Sequence, residues 1–365
     1  MFQPSQISVA VIKAATDAGF DLAGIAPVED APELEYFPRW IAEGRAGEMK
    51  YLEARDDQDR LKRASLAHAA PWARSVVVCA INYNAAQPYS TQVADSEAQG
   101  KGWISRYAWG RQDYHDSVMP RLRLVEAALR NAAAMDDLVT RCYVDTGPVV
   151  ERVAAKYAGV GWIGKNTCII NQKMGSWLFL GVILTSLELE AGSAETGLPA
   201  PDRCGRCTRC IDACPTDALT APYQLDSNRC IAYLTIEKRG VLPDDDELRS
   251  GMGRHIFGCD ICQDVCPWNR KAPATNAAEF QPRAGLVNPP LEWLTEMSEE
   301  EFHSTFRGSP VRRAKRSGLR RNAVIAMGNS GERKFLPLLE KLRSDKDDVV
   351  AESADWAARK LVNED

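Results

Sequence analysis

The residues best able to do chemistry are cysteines, and most of them lie close together. The chain has 365 residues and 11 cysteines, eight of them between positions 204 and 266, and three in apolar, strand-like stretches at 79, 142 and 168. The first four of the eight, from position 204, follow the spacing Cys-x2-Cys-x2-Cys-x3-Cys-Pro. Three cysteines at intervals of three can surround one [4Fe–4S] cluster, while the fourth points toward another. In a reducing compartment, such clustering favours metal over disulfides.

A second motif supplies the remaining thiolates. Residues 259–267 follow Cys-x2-Cys-x3-Cys-Pro, and Cys230 upstream completes the eight. Crossing between the motifs, as in two-cluster ferredoxins, predicts two ligand sets: Cys204, Cys207, Cys210 and Cys266 for the first cluster, and Cys214, Cys230, Cys259 and Cys262 for the second. Structural zinc is the alternative, which the x2-x2-x3-Pro series disfavours. With every thiolate used, we expect the clusters to carry electrons to another centre.

Asp145 is the carboxylate that its surroundings single out. Residues 141–145 predict a strand, which breaks at Thr146, Gly147 and Pro148. Asp145 would then stand at the carboxyl edge of a sheet, where ligands gather in α/β folds. The alternative is that Asp145 is the N-cap of the helix predicted after Pro148.

Three domains are predicted to position these residues. Residues 1–190 are expected to form an α/β or α+β domain, and 203–270 a ferredoxin-like domain with two clusters. Residues 191–202 and 271–290 are expected to be connectors. Residues 291–365 are predicted to be α-helical, with a HEAT-like pattern too short to stand alone as a solenoid.

Local patterns predict individual elements within the outer domains. Apolar residues at helical spacing, β-branched runs and glycines at the ends define them. The predicted helices are 5–18, 114–135, one between Pro148 and Gly159, 319–327, 335–342 and 349–361, with a turn at 328–331; the predicted strands are 75–81, 141–145, 167–170 and 177–184.

Charge and hydropathy narrow the class of protein. The formal net charge is −5, no run of 18 apolar residues occurs, and the N-terminus lacks a secretory pattern. We therefore expect a cytoplasmic protein without membrane contact, and a monomer by default. Residues 307–321 nevertheless hold seven basic residues and no acidic one. Because screening confines attraction to about 10 Å, this local charge can bind a polyanion despite the net charge.

Four sequence strings together resemble the epoxyqueuosine reductase family. They are residues 143–152 (Tyr-Val-Asp-Thr-Gly-Pro-Val-Val-Glu-Arg), 161–166 (Gly-Trp-Ile-Gly-Lys-Asn), 230–237 (Cys-Ile-Ala-Tyr-Leu-Thr-Ile-Glu) and 257–263 (Phe-Gly-Cys-Asp-Ile-Cys-Gln). The resemblance implies a cobalamin between the N-terminal and ferredoxin-like domains. It also implies a tRNA substrate with epoxyqueuosine at the wobble position of the anticodon, reduced to queuosine. An external low-potential electron donor would feed the clusters, which can reduce cobalt one electron at a time.

The resemblance also implies roles for individual residues. Asp145 would be the proton donor, which requires its pKa to be raised by burial against the corrin. The positions that match corrin-lining stretches are Arg60, Ser105, Arg106, Tyr107, Asp145, Gly164, Lys165, Asn166, Ile169, Ala232 and Asp260. Ala232 stands where members often have serine, so only a backbone contact is expected there. The expected tRNA contacts are Glu237, Arg312, Arg313, Lys315, Arg316, Arg320 and Arg321.

Two other functions fit part of the sequence. A cobalamin-dependent reductive dehalogenase would share the cobalamin and the clusters, but a small halide needs no basic helical tail. An electron-transfer ferredoxin fused to a scaffold would leave the first 190 residues and Asp145 without a purpose.

Overall fold

The structure is a computed structural model that describes residues 4–193 and 198–363. Residues 194–197 of the predicted first connector therefore lie outside the described residues. The helices are α1 (Pro4–Asp17), α2 (Pro32–Ala42), α3 (Leu66–Ala69), α4 (Asp95–Ala98), α5 (Tyr114–Ala133), α6 (Glu151–Tyr157), α7 (Arg209–Asp212), α8 (Ile231–Ile236), α9 (Asp246–Gly251), α10 (Ile261–Asp264), α11 (Leu291–Glu296), α12 (Glu299–Thr305), α13 (Lys315–Asn329), α14 (Leu336–Leu342) and α15 (Asp348–Asn363). The strands are β1 (Leu22–Pro27), β2 (Ser75–Asn82), β3 (Trp103–Ile104), β4 (Thr140–Tyr143), β5 (Trp162–Ile163), β6 (Ile169–Ile170), β7 (Leu178–Thr185), β8 (Gly192–Ser193) and β9 (His255–Phe257).

The N-terminal sheet has the order β4-β7-β2-β1-β8, and all its neighbouring strands are antiparallel. All eight residues of β2 are buried. Val77 and Ile81 face α1 and α5, whereas Val76 and Val78 face α6. The α/β alternative is therefore wrong, and α+β is the correct class. A continuous apolar strand shows that both sheet faces are covered, but it does not show the direction of its neighbours.

Because the sheet is antiparallel, the position of Asp145 at its edge needs a different explanation from the one that the sequence suggested. The rule that places ligands at carboxyl ends concerns parallel strands. Here β2 and β4 run in the same direction because β7 lies between them and is antiparallel to both. The segments that follow β2 and β4 therefore lie at the same end of the sheet. Strand β7 begins at that end, directly after Trp177.

The ferredoxin-like segment shares its core with both neighbouring segments. Strand β9 pairs in parallel with β3. One hydrophobic cluster contains Trp103, Leu234, Phe257, Ala323 and Trp356. The predicted domains thus do not have separate cores, because the stretch between the two cysteine motifs packs against the C-terminal helices.

The predicted C-terminal helix pair is confirmed as α13 and α14, but its turn begins later than expected. Gly328 and Asn329 belong to α13. A Cβ at Gly328 would come within 2.8 Å of Ala357 Cα, so this glycine permits close packing between α13 and α15. The HEAT-like classification stays a prediction. Among the described residues, no helix is both long and apolar enough to cross a membrane.

Candidate active site and iron–sulfur ligands

Asp145 lies in a tight loop directly after β4. Its backbone is left-handed, with φ of 58°, a conformation that costs most residues about 1–2 kcal/mol. The hydroxyl of Tyr114 donates a hydrogen bond of 2.7 Å to Asp145 Oδ2. The guanidinium of Arg63 donates to the Gly147 carbonyl at 2.8 Å. These two contacts hold the loop from different sides.

The capping alternative for Asp145 is wrong. Helix α6 begins at Glu151, its N-cap is Val150, and no side chain caps it. Pro148 also lies before the helix rather than in its first turn. The carboxylate of Asp145 therefore does not serve as a helix cap. Its side chain is exposed, so the burial that we expected is not supplied by the chain itself and would have to come from a bound ligand.

Glu151 is a second carboxyl beside Asp145 that sequence reasoning missed. Burial, followed by the charge of Asp145, raises the pKa of Glu151 to about 7. Glu151 Oε1 is buried and has no hydrogen-bond partner in the described part of the chain. The residue was part of the quoted string 143–152, but an acidic residue in the first turn of a helix is ordinarily explained by the helix dipole.

Arg313 brings the C-terminal basic run to this site. Its guanidinium lies 5.2 Å from the ring centre of Tyr114 and donates to Asp113 Oδ2 at 2.9 Å. Burial alone would lower the pKa of Arg313, but the neighbouring tyrosines together with Asp113 and Asp145 raise it above its ordinary value. Arg313 thus faces the Asp145 site, and 31% of its side chain remains exposed.

A row of aromatic rings connects Asp145 with the second cysteine motif. The ring centres of Tyr114 and Tyr107 are 6.1 Å apart, and those of Tyr107 and Phe257 are 5.9 Å apart. Phe257 ends β9, two residues before Cys259. Three aromatic rings therefore lie between Asp145 and Cys259, a predicted ligand of the second cluster.

The predicted ligands of the first cluster are neighbours in space. Cys204 and Cys266 lie in one small apolar cluster with Trp162 and Trp268. Burial first, with contributions from the Cys204 and Cys210 thiolates, raises the pKa of Cys266 to about 11. Such thiols resist ionisation unless a cation neutralises them, as iron does.

The predicted ligands of the second cluster form another group. Cys230 and Cys259 both pack against the main core. Burial, followed by the Cys230 thiolate and more weakly by that of Cys214, raises the pKa of Cys259 well above its ordinary value. The pKa of Cys262 is raised as well, first by its contact with Cys168, then by burial, and more weakly by Cys259 and Cys230. The two groups agree with the crossed ligand sets, and the ligand assignment itself stays a prediction.

Cys168 is a ninth cysteine at this site. The sequence placed it in strand-like surroundings, but its thiol contacts that of Cys262. Asn166 lies beside it and donates from Nδ2 to the Cys262 carbonyl at 3.2 Å. The sequence did not indicate that Cys168 belongs to this site, because Cys168 and Cys262 are almost a hundred positions apart.

The predicted corrin-binding segments meet around residues 257–262. Ser105 N donates to the Phe257 carbonyl at 2.7 Å. Asp260 accepts hydrogen bonds from the Ser105 hydroxyl and, at 2.8 Å, from Arg106 N. Ala232 lies in α8, whose Thr235 hydroxyl accepts from Gly258 N at 2.9 Å. Three distant segments of the sequence thus converge on one loop.

Several of the predicted corrin-binding side chains already have partners within the protein. Arg106 and Asp260 are each only 2% exposed, and the Arg106 guanidinium donates to the carbonyls of three residues, Ala85, Gln87 and Pro88. The expectation that their side chains bind the corrin is therefore wrong, because a ligand could reach almost none of their surface. Lys165 donates to the Gly205 carbonyl at 2.7 Å, beside the first cysteine motif.

The remaining predicted positions differ in how much a ligand could reach. Arg60 forms an ion pair with Asp56 and is not joined to the 257–262 loop by any contact in the described residues. Gly164 and Ile169 are buried, whereas Tyr107 and Ala232 are partly exposed. Tyr107 and Ala232 are therefore positions at which a ring could touch the wall beside the exposed Asp145.

The basic run is only partly a surface. Arg321 is 1% exposed and donates to the carbonyls of Leu234, Lys238 and Gly240. Arg320 is 5% exposed and pairs with Asp345 at 2.6 Å. The prediction that these two residues contact tRNA is wrong, because their guanidinium groups are buried and already bound to carbonyl or carboxylate groups of the protein.

The other predicted tRNA contacts remain accessible to different degrees. Arg316 donates to the Met297 carbonyl at 2.7 Å and is 20% exposed. Arg312 and Lys315 are exposed, and Glu237 is partly exposed at the end of α8. A phosphate could therefore be contacted chiefly by Arg312 and Lys315.

Known proteins match nearly the whole length of the chain. The profile described as "4Fe-4S double cluster binding domain" matches residues 203–269, and that described as "Epoxyqueuosine reductase QueG, DUF1730" matches residues 63–146. The epoxyqueuosine reductase of Pseudomonas aeruginosa is 39% identical over 361 residues, which are 98% of this chain and 95% of that protein. The chain belongs to the epoxyqueuosine reductase family.

Solved structures of epoxyqueuosine reductases share the fold. One contains a tRNA-Tyr epoxyqueuosine-modified tRNA stem loop; it has a TM-score of 0.82 and 30% identity, covering 98% of this chain and 91% of that one. Another, from Bacillus subtilis, has an aspartate catalytic loop swung out of the active site, with a TM-score of 0.83, 30% identity and the same coverage.

Family membership decides between the alternatives left open by the sequence. As an epoxyqueuosine reductase, the chain is an oxidoreductase of queuosine biosynthesis. The double-cluster match covers residues 203–269, so the chain binds two [4Fe–4S] clusters and the zinc alternative is wrong. All eight motif cysteines fall within this match, and their roles as individual ligands stay a prediction. In the described residues, no three Cys, His, Asp or Glu side chains converge as closely as a single ion requires, whereas a four-iron cluster holds its thiolates farther apart.

Proposed function

We propose that this chain reduces the epoxide of epoxyqueuosine in the anticodon stem-loop of tRNA, with Asp145 as the proton donor. The observation that carries the proposal is the exposed Asp145 carboxylate. It is held in a left-handed loop by Tyr114 and connected through aromatic rings to the second cysteine motif. A related reductase has been solved with an epoxyqueuosine-modified stem loop. That precedent supports a tRNA substrate here.

The proton and electron balance defines what the site must supply. Converting an epoxide to an alkene removes the oxygen as water, and this consumes two electrons and two protons. Asp145 supplies one proton to the departing oxygen and solvent supplies the second, while Tyr114 keeps the carboxyl group of Asp145 in place. When bound, the two clusters would supply the electrons one at a time. The predicted ligands of the second cluster lie beside the row of rings that leads to Asp145.

Cobalamin would bind between the N-terminal sheet and the 257–262 loop. The segments that contain Ser105, Ala232 and Asp260 converge there through direct hydrogen bonds. Tyr107 and the backbone at Ala232 would contact the corrin, while Arg106 and Asp260 support the wall from behind. When bound, cobalamin supplies a low-valent cobalt able to reduce the carbon–oxygen bond. Covering Asp145 with this apolar ring would provide the burial that the chain alone lacks.

The exposed part of the basic tail fits the tRNA backbone. Arg312 and Lys315 are exposed near Arg313, which itself faces the Asp145 site. Phosphate contacts there would leave the wobble base free to be extruded toward Asp145. A small halide needs no such contacts, and no contact in the described residues favours the dehalogenase alternative.

The experiment uses the reconstituted protein, added cobalamin, a chemical reductant and an epoxyqueuosine-containing anticodon stem-loop. Nucleoside analysis by mass spectrometry should show conversion to queuosine. We expect Asp145→Asn to abolish most turnover while the visible spectra of the clusters and cobalamin persist. Asp59→Asn is the matched control, because Asp59 is also exposed and left-handed, with φ of 61°. Failure of cobalamin to bind, or full activity of Asp145→Asn, would contradict the proposal.

A further inference from the structure

We propose that exposed arginines around the first cysteine motif form a docking surface for an acidic one-electron carrier protein. The patch consists of Arg203, Arg206, Arg209 and Arg270. The inference rests on the proposed function, because a reductase fed through iron–sulfur clusters needs an external donor. The patch indicates where that donor binds and that the binding surface of the donor is acidic.

The arginines follow the cysteine spacing. Arg203, Arg206 and Arg209 each directly precede a predicted ligand of the first cluster, and Arg270 lies four residues after Cys266. All four are exposed. The cysteines must point toward the cluster, so the residues between them are left to face outward. The exposed positive charges therefore lie next to the predicted ligands of the first cluster along the chain.

These side chains are not used inside the fold. In residues 4–193 and 198–363, none of the four has an ion pair or a side-chain hydrogen bond, unlike Arg320 and Arg321 of the basic tail. Unpaired surface arginines lose no internal partner when a protein binds. They can therefore form new contacts with carboxylates, for which the arginine fork is well suited.

The local acidic groups keep their negative charge but are fewer than the basic groups of the patch. Asp202 accepts hydrogen bonds from Cys204 N and the Tyr223 hydroxyl, and Asp212 accepts one from the Thr208 hydroxyl. Lys271 adds another exposed positive charge. The patch stays positive on a chain whose net charge is −5. Attraction of this kind acts mainly on the rate of encounter and on partner choice.

An electron carrier fits this location better than RNA does. Redox partners form small, short-lived interfaces, often below about 1,200 Å², and the patch is small and centred on cluster ligands. Each encounter would move one electron from the reduced carrier to the first cluster, so two encounters supply one epoxide reduction. An RNA surface would instead be expected near Asp145, where the substrate base must arrive.

The test measures reduction of the clusters in the holoprotein without any tRNA. A reduced plant-type ferredoxin serves as the acidic carrier, and stopped-flow bleaching of the cluster absorbance gives the rate. We expect Arg203→Glu with Arg206→Glu to slow this reaction at least tenfold at low salt and to weaken its salt dependence. Reduction by methyl viologen, a small cation, should change less than about twofold. Arg203→Lys with Arg206→Lys should keep most of the ferredoxin rate.

Lys13→Glu with Lys341→Glu is the control, since both lysines are highly exposed and the net charge changes equally. An unchanged ferredoxin rate in the patch variant would overturn the proposal. So would equal losses with ferredoxin and methyl viologen, which would mean a damaged cluster. A fall in tRNA affinity without a change in ferredoxin rate would make the patch an RNA surface. Because no tRNA takes part in the redox assay, failure of the proposed substrate would leave this result unaffected.

Discussion

Removing the hydroxyl of Tyr114 should selectively damage the reaction. Tyr114 is 8% exposed, and its ring stacks on Phe179 with centres 4.4 Å apart, so Tyr114→Phe keeps the packing. What disappears is the hydrogen bond of 2.7 Å to Asp145. A hydrogen bond to a charged group contributes about 1.5–3 kcal/mol. This exceeds the cost of a left-handed backbone, which is about 1–2 kcal/mol for most residues and less for aspartate. Without Tyr114 the strain is no longer offset, and the loop is expected to relax.

The consequences for rate and stability differ. If the full hydrogen-bond energy is lost from the transition state, kcat/KM falls about ten- to 150-fold. The free energy of unfolding should fall by only about 1 kcal/mol, because water can reach the exposed Asp145 in place of the hydroxyl. Nucleoside analysis of epoxyqueuosine-containing tRNA measures the first quantity, and urea denaturation the second.

A double-mutant cycle tests whether Tyr114 acts through Asp145. In an Asp145→Asn background, Tyr114→Phe should cost much less activity than in the wild type. Tyr157→Phe is the matched control, since it also removes a tyrosine–carboxylate hydrogen bond, the 3.2 Å contact with Glu33. Equal losses from Tyr114→Phe in both backgrounds would refute the reasoning, as would full activity of the single variant.

Other expected outcomes concern single residues. Burial raises the pKa of Glu151 from its ordinary 4.5 to about 7, so the folded state binds the proton more tightly and its stability falls as pH rises from about 4.5 through 7. Glu151→Gln should therefore raise Tm relative to wild type at pH 8 and leave it nearly unchanged at pH 4.5; the same difference at both would contradict this. Arg321→Ala leaves three carbonyls unpaired and should cost about 3 kcal/mol of unfolding free energy, whereas Arg312→Ala should cost less than about 0.5 kcal/mol while weakening tRNA binding in a filter assay. Cys168→Ser should retain about eight irons per chain by colorimetric analysis; a loss of about four would make Cys168 a ligand.

Local sequence could predict what depends on local spacing. The cysteine motifs, the helices and the strand that precedes Asp145 are all set within a few residues, and the structure contains them. The direction of neighbouring strands depends on chain connections, so the buried run in β2 could not reveal an antiparallel sheet. The contact between Cys168 and Cys262 likewise joins separate parts of the chain.

Charge was the least reliable guide to location. Residues 307–321 look like one basic surface, but α13 is enclosed by other elements over the turns that contain Arg320 and Arg321. A guanidinium can be buried when carbonyls accept its protons, and sequence alone does not show where such carbonyls lie. Glu151 is the opposite case, because an ordinary helix-start carboxylate becomes unusual only once the loop of Asp145 is folded beside it.

The C-terminal helices consequently support the second cysteine motif, in addition to carrying the proposed tRNA contacts. Arg321 binds the carbonyls at the end of α8, and Asn322 Nδ2 donates to the carbonyls of Thr235 at 2.9 Å and Ile256 at 2.8 Å. Helix α8 starts directly after Cys230, and β9 ends two residues before Cys259. The buried face of α13 therefore fixes the two segments that carry predicted ligands of the second cluster. The turn directly before α13 places Arg313 against Tyr114. One continuous part of the chain therefore supports both the second cysteine motif and the loop of the proposed proton donor.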